Sequence, residues 1–254
     1  MSEANQRLSL RLAESERDLR AVHRLRYDVF VRELGASGGA DHAREMERDQ
    51  FDAHCDHLVV FDCDRPGGDD AVACCRLLGS RAAHEGIGFY SANEYDLGPL
   101  YRTGRNLLEL GRSCVRSGYR DGVTLLYLWQ GLADYVERHQ SHILFGVASF
   151  HGADPTEHTQ PLSLLYDRYL AKSDLRVRAR GSNAHPMNLI TASEIDRPVA
   201  VGMLPPLLKR YLRLGGVVGE GAWIDREFNT VDVCVIVDAS RVTADARAAC
   251  RTLP

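Results

Sequence analysis

The sequence predicts a mixed α/β fold, a twisted sheet flanked by helices. Segments with strand alternation and segments with helical spacing follow one another in the order β-α-β-β-loop-β-α-β-α-β. Ile143 to Phe150 is apolar enough to be buried on both faces, as an interior strand would be. No internal repeat or low-complexity linker interrupts the chain, so residues 1–254 read as one domain, with a helix-and-strand C-terminal extension from about residue 183.

Leu8 to Ala13 alternates as a first strand. From Glu14 to Glu33, Leu19, Val22, Leu25, Val29 and Phe30 recur at helical spacing, and Ser15 supplies an N-cap oxygen. Gly35 to Asp41 is glycine-rich and polar, a loop, and a charged stretch then leads to Asp56. His57 to Cys63 is a strand, the turn Asp64 to Asp69 follows, and Ala71 to Leu78 is its hairpin partner. Glu85 to Leu100 is irregular, broken at Tyr95-Asp96-Leu97-Gly98-Pro99. Asn106 to Val115 is the central strand, and Val123 to His139 is a helix with Leu125, Leu128, Trp129, Leu132 and Val136 on its apolar side. Leu162 to Leu170 is helical and Leu175 to Arg180 a short strand. Leu204 to Leu214 is a helix punctuated by Pro205-Pro206 and Gly215-Gly216, and Val231 to Val237 is a last strand.

Composition narrows the class. An apolar share of 44% and a charged share of 26% suit a soluble globular protein, and a net charge of -4 argues against a general nucleic-acid binder. The seven cysteines show no zinc spacing, and Cys74 and Cys75 are too close in sequence to pair readily, so reduced, mostly buried thiols are expected. No export core and no run of 18 apolar residues is present. The expectation is a cytoplasmic protein, with peripheral contact at the inner membrane face left open.

The chemistry concentrates in Leu107-Leu108-Glu109-Leu110-Gly111-Arg112-Ser113-Cys114-Val115. A carboxylate and a guanidinium inside an apolar strand cost several kcal/mol (about 3–5) unless paired or functional. Gly111 between them allows a bulge that turns both to one face. Glu109 is then either a proton acceptor held by Arg112 or half of an ion pair that closes the sheet. The following turn, Arg116 to Gly122, runs into the helix that begins at Val123. Arg116 and Arg120 with Gly122 and Val123 offer an anion site at a helix start, or a solvated basic turn. Asp49 and Asp52 are candidates for an ammonium group or a solvated charge run. Arg76, in mid-strand, is an ion-pair partner or a ligand contact. No serine or cysteine stands in a nucleophile elbow, which argues against a covalent acyl-enzyme. The Leu204 to Leu214 helix carries Lys209, Arg210 and Arg213 beside its leucines, the pattern of a core-packed helix or of one resting on anionic lipid.

Arg26-x-x-Val29-Phe30, Glu47-x-Asp49-x-Phe51-Asp52, Arg76 and Glu109-x-x-Arg112 together resemble, in order and spacing, the signature of acyl-homoserine-lactone synthases. The segments Leu107 to Val115, Gly146 to Phe150, Pro205 to Gly215 and Phe228 to Val233 are closer to a sister group, the bacterial L-ornithine N(alpha)-acyltransferases of ornithine-lipid synthesis. Arg116 to Gly122 has fewer glycines than the usual phosphate loop of GNAT enzymes, and Leu34 to Gly39 lacks the tryptophan of the lactone synthases. The resemblance implies a GNAT-like acyltransferase fold. It also implies transfer of a 3-hydroxyacyl chain from acyl carrier protein to the α-amine of ornithine, giving lyso-ornithine lipid.

On that resemblance Glu109 is the base and Arg112 its orienting partner. Arg26, Phe30, Asp49, Asp52 and Arg76 form the amino-acid site, and Arg116, Arg120, Gly122 and Val123 hold the phosphopantetheine. No cofactor or metal is expected beyond the carrier-protein thioester as co-substrate. The alternatives are an acyl-homoserine-lactone synthase, an N-acyltransferase for glutamine, lysine, glycine or serine, and a non-catalytic carrier-protein or lipid-binding module.

Overall fold

The computed structural model describes residues 7–67, 70–120 and 122–242. The chain opens with strand β1 (Leu8–Leu12) and helix α1 (Glu16–Arg26), which continues as a wider π-helix over Tyr27–Glu33. The short pair β2 (Ala40–Asp41) and β3 (Met46–Glu47) precedes the hairpin of β4 (Asp56–Asp62) and β5 (Ala71–Gly79), then α2 (Ser80–Glu85). Next come β6 (Tyr95–Asp96), α3 (Gly98–Arg102), β7 (Leu107–Val115) and α4 (Val123–Arg138). The remainder is β8 (Ile143–His151), α5 (Thr159–Tyr169), β9 (Arg178–Ala179), β10 (Ala184–His185), α6 (Arg197–Met203), α7 (Pro206–Arg213), β11 (Val217–Asp225) and β12 (Thr230–Asp238).

The described residues fall into two compact units, 7–87 with 110–140, and 88–109 with 141–242. In the first, β1 pairs antiparallel with β4 and β4 with β5. Helix α1 covers one face, where Ala21, Val22, Leu25 and Val29 pack with Val59, Phe61, Cys74 and Cys114. Helix α4 lies on the opposite face. A Cβ at its Gly131 would come within 2.8 Å of Leu10 and 3.0 Å of Leu58, so only glycine allows that approach. Because both faces are covered, β4 and β5 read as nearly unbroken apolar runs.

In the second unit the start of β7 pairs in parallel with β8 over Leu107–Glu109 against Ile143–Phe145. Strand β8 pairs antiparallel with β12, and β12 with β11. Every residue of β12 is buried. Helix α5 packs on β11 and α7 on β12.

Beyond the short elements β2, β3, β6, β10, α2, α3 and α6, which the sequence reading does not contain, three longer features depart from it. The first helix is α-helical only to Arg26, after which Leu34 N donates to Val29 O, an i to i+5 bond. The strand expected over Leu175 to Arg180 is reduced to β9, because Leu175 N closes a turn onto Lys172 O. Strand β11 is absent from the sequence reading. Its glycines interrupt the alternation, and its register against β12 shifts between Val218 and Ala222. Gly219 is required there, since a Cβ would meet the Val177 side chain at 2.6 Å.

Candidate active site

The first unit buries a closed ring of six alternating charges. Arg26, fully buried at the end of α1, donates from Nε to Glu47 Oε2 and from Nη1 to Asp52 Oδ1 (2.7 Å). Arg76, in mid β5, donates from Nη1 to Asp52 Oδ1 (2.9 Å) and Asp49 Oδ1 (2.6 Å). Arg112, in β7, closes the ring on Asp49 Oδ2 (3.0 Å) and Glu47 Oε1 (3.2 Å). Strand β3 supplies Glu47, and the turn after it supplies both aspartates. In that turn Asp52 Oδ2 accepts the Asp49 amide (2.9 Å) and Asp49 Oδ1 the Phe51 amide (2.9 Å).

Burial alone would favour the neutral acids. The guanidiniums outweigh it, holding Asp52 and Asp49 below the ordinary carboxylate range. Beside the ring, burial and then the Arg26 charge push His23 down to about 4, while its Nε2 lies 3.6 Å from Asp52 Oδ2. Arg112 adopts φ +49°, left-handed backbone that a side chain rarely takes. This lets β7 deliver a guanidinium to the ring immediately after Gly111.

Glu109 and Arg112 take different partners. Glu109 belongs to the second unit and is 4% exposed. Its Oε2 accepts the Tyr90 amide (2.8 Å) and its Oε1 the Ser91 amide (2.7 Å), at the start of the 3-10 turn Tyr90–Asn93. Each carboxylate oxygen is thus positioned by one backbone amide.

The other sequence candidates are placed as follows. Phe30 lies in the π-helical segment against the α1 core. Arg116 donates to Asp28 Oδ2 (3.0 Å) and Ala71 O (3.3 Å), and Arg120 forks onto Glu33 (2.5 and 2.8 Å). Gly122, at φ +94°, turns the chain into α4, whose first turn has no side-chain cap and no acid. Val123 is half-exposed at that helix start. Burial pushes the Cys75 thiol up to about 12, which keeps it protonated and unreactive.

The sequence reading names Glu47 only within the family signature, with no site role, and does not name His23. A residue spacing that pairs acids with buried arginines points to Glu47, which stands in the same acidic run as Asp49 and Asp52. His23 has no comparable signal, being one polar residue on an amphipathic helix.

A family model described as an acetyltransferase (GNAT) domain matches residues 25–130. The chain is 48% identical over 241 residues to an L-ornithine N(alpha)-acyltransferase of Rhodobacter capsulatus, covering 94% of this chain and 92% of that one. It is 42% identical over 242 residues to another of Brucella abortus, covering 93% and 86%. Among solved structures it is similar to a CoA-dependent acyl-homoserine lactone synthase, BjaI, at TM-score 0.50 and 15% identity over 91% of this chain and 79% of that one. It is similar to a second, MesI, at TM-score 0.50 and 15% identity over 96% and 93%. At that identity the likeness is one of fold, and the fold is the GNAT-like acyltransferase fold the sequence predicts.

Proposed function

The chain belongs to the L-ornithine N(alpha)-acyltransferase family, and from that premise we propose that it transfers a 3-hydroxyacyl chain from acyl carrier protein to the α-amine of ornithine, giving lyso-ornithine lipid. The chain is an acyltransferase. What supports the acceptor is identity to ornithine enzymes along almost the full chain. What supports the base is Glu109 itself, a carboxylate kept in an apolar strand with both oxygens positioned by backbone amides.

An ammonium must lose a proton before it attacks a thioester. Glu109 takes that proton, directly or through one water, and the amine nitrogen adds to the carbonyl carbon. The C–S bond then breaks, the nitrogen's second proton passes to the departing phosphopantetheine thiolate to give the thiol and the amide, and Glu109 returns its proton to water. Backbone amides of β7 stabilise the oxyanion, worth about 3–4 kcal/mol for a preorganised donor. The charge ring fixes Arg112 and the turn 49–52 as a rigid ionic frame of the first unit. The uncapped start of α4, with Arg116 and Arg120, receives the phosphopantetheine phosphate. The acidic carrier protein docks beside that helix start, on the face of the first unit that carries Arg120.

No helix among the described residues is long and apolar enough to cross a membrane. The lipid contact expected of the Leu204 to Leu214 helix, whose Lys209 and Arg213 lie on α7, extends in this reading to α6, where Val199, Val201 and Met203 are exposed.

Incubating the enzyme with 3-hydroxyacyl carrier protein and ornithine, then mass spectrometry, tests the assignment. N-acyl-ornithine is expected. A lactone from S-adenosylmethionine alone, or no product from any amine, would overturn it. Glu109→Gln is expected to abolish transfer while the folded state persists, and near-normal turnover would remove Glu109 from the base role.

A further inference from the structure

Three buried carboxylates of the second unit converge at a point that the reaction described above does not use. Glu94, Asp225 and Asp232 bring one oxygen each to within 4.8 Å of one another. The three residues are 1%, 6% and 3% exposed. The antiparallel register sets Asp225 opposite Thr230 and Trp223 opposite Asp232, so Asp225, Thr230 and Asp232 share one face of the sheet. Glu94 precedes β6 and is anchored there by its neighbour Tyr95, whose hydroxyl donates to Asp232 O (3.0 Å) and Gly221 O (3.1 Å). Asp225 is locked by the amides of Glu227 (2.8 Å) and Phe228 (2.9 Å) on its Oδ1.

A second observation points to a ligand. Thr230 is only 8% exposed, and its hydroxyl has no hydrogen-bond partner. The pleat turns it to the same face as both aspartates, directly across from Asp225. A buried hydroxyl unsatisfied beside three carboxylates marks the place of a further polar group. The same face reaches solvent, since Ser149, opposite Asp232, and His151, opposite Thr230, are exposed. It also carries Glu109. Glu109 stands opposite Phe145, which alternates with Val147 and Ser149 on that face. Burial first, then the charges of Glu109 and Glu94, pushes the Cys234 thiol up, as expected where carboxylates are gathered.

Three carboxylates at this spacing each offer one acceptor oxygen to a cation seated among them. A triangle with that edge has its centre no more than about 2.8 Å from each corner, the length of an N⁺–H···O⁻ bond. A primary ammonium has three donors, one for each carboxylate. We propose that Glu94, Asp225 and Asp232, with the Thr230 hydroxyl, hold the side-chain ammonium of the acceptor and so select a diamino acid over a neutral one. This rests on the transfer to ornithine proposed above. A divalent cation is the competing occupant, with about six to eight oxygens as its usual demand against the four groups assembled here.

The test compares ornithine with 2-aminopentanoic acid, the same carbon chain without the terminal amine, in the wild type, Asp232→Asn and Thr230→Val. The ornithine-to-aminopentanoate ratio of kcat/KM is expected to fall at least about tenfold in Asp232→Asn and by a smaller factor in Thr230→Val. Thr230→Val keeps all three charges and guards against a variant that fails to fold. An unchanged ratio in folded variants overturns the assignment while leaving ornithine transfer intact. If the wild type acylates neither amine, the transfer has failed separately. The site is then read by thermal shift, with ornithine expected to stabilise the wild type more than Asp232→Asn and equal shifts overturning it. A stoichiometric divalent ion that survives purification in the wild type and is lost in Asp232→Asn also overturns it.

Discussion

Replacing Asp52 by asparagine removes one of six charges from a ring that has almost no water to compensate. Asp52 Oδ1 accepts from both Arg26 and Arg76, and its Oδ2 accepts the Asp49 amide. The asparagine amide presents a donor where one of these three donors now points. Three guanidiniums then share two carboxylates, in a site where Arg26 is fully buried and Arg76 nearly so. Breaking a buried ion pair on one side costs about 3–5 kcal/mol, because the abandoned charge stays desolvated. That is a large part of the roughly 5–15 kcal/mol by which a domain is stable. At about 2–4 °C per kcal/mol for a chain of this size, the first unit should melt about 6–20 °C lower.

Differential scanning calorimetry and urea titration at neutral pH read this directly. The double variant Asp52→Asn/Arg76→Met, which removes the surplus cation too, should recover part of the loss. A melting shift of less than about 2 °C, or a double variant no better than additive, would show that the ring is screened and contributes little. Acid gives a second handle. Asp49 and Asp52 ionise more readily folded than unfolded. Their contribution is complete above the ordinary aspartate value of 3.8 and is lost only as pH falls below it.

His23 also loses stability on acidification, but in a higher window and because burial disfavours its charged form. It is held neutral down to about 4 against an ordinary 6.5, so the unfolded state binds its proton first. Stability should fall between about pH 6.5 and 4 by about 2–4 kcal/mol, and His23→Gln should flatten that limb of a pH–stability curve. Arg120→Ala should lower kcat/KM for the acyl carrier protein substrate roughly tenfold and weaken its dependence on ionic strength, measured by steady-state kinetics at two salt concentrations. An unchanged salt slope would take Arg120 out of the docking face. Val199→Asp with Met203→Asp should reduce sedimentation with anionic phosphatidylglycerol vesicles and leave the melting temperature near wild type. Equal sedimentation would place the lipid contact elsewhere.

The elements that sequence reading finds are those whose periodicity is uninterrupted. Strand β8 and helix α4 are visible because burial on both faces, or on one stripe, writes a continuous pattern. Strand β11 is invisible for the opposite reason. Its glycines admit the close approach of Val177 and a register shift, and each deletes an apolar signal. The π-helical turn after Arg26 is equally hidden, since Val29 and Phe30 fit an α-helical spacing as well.

For the site, the legible signal is charge in an apolar strand. Arg76 in β5 and Glu109 in β7 carry this signal, and the structure gives each polar partners, two aspartates for one and two backbone amides for the other. What the sequence leaves open is which charges meet. Glu109 and Arg112 are three residues apart, yet one is held by the amides of 90–91 and the other closes a ring with residues from 47 and 49. Spacing along a strand says which face a side chain leaves, and a left-handed residue such as Arg112 resets even that.

The same rule, applied once more, identifies Asp232. It is the charged residue at the centre of Thr230-Val231-Asp232-Val233-Cys234-Val235, a strand buried from end to end. A carboxylate there is costly for the same reason as Glu109. Its companions come from residues 94 and 225, distant in the chain, and only the register of β11 on β12 and the Tyr95 hydroxyl bring them together. The ring of the first unit sets three guanidiniums against three carboxylates, whereas the second unit turns three carboxylates to one point. That difference in charge balance separates the frame of the first unit from the cation site proposed in the second.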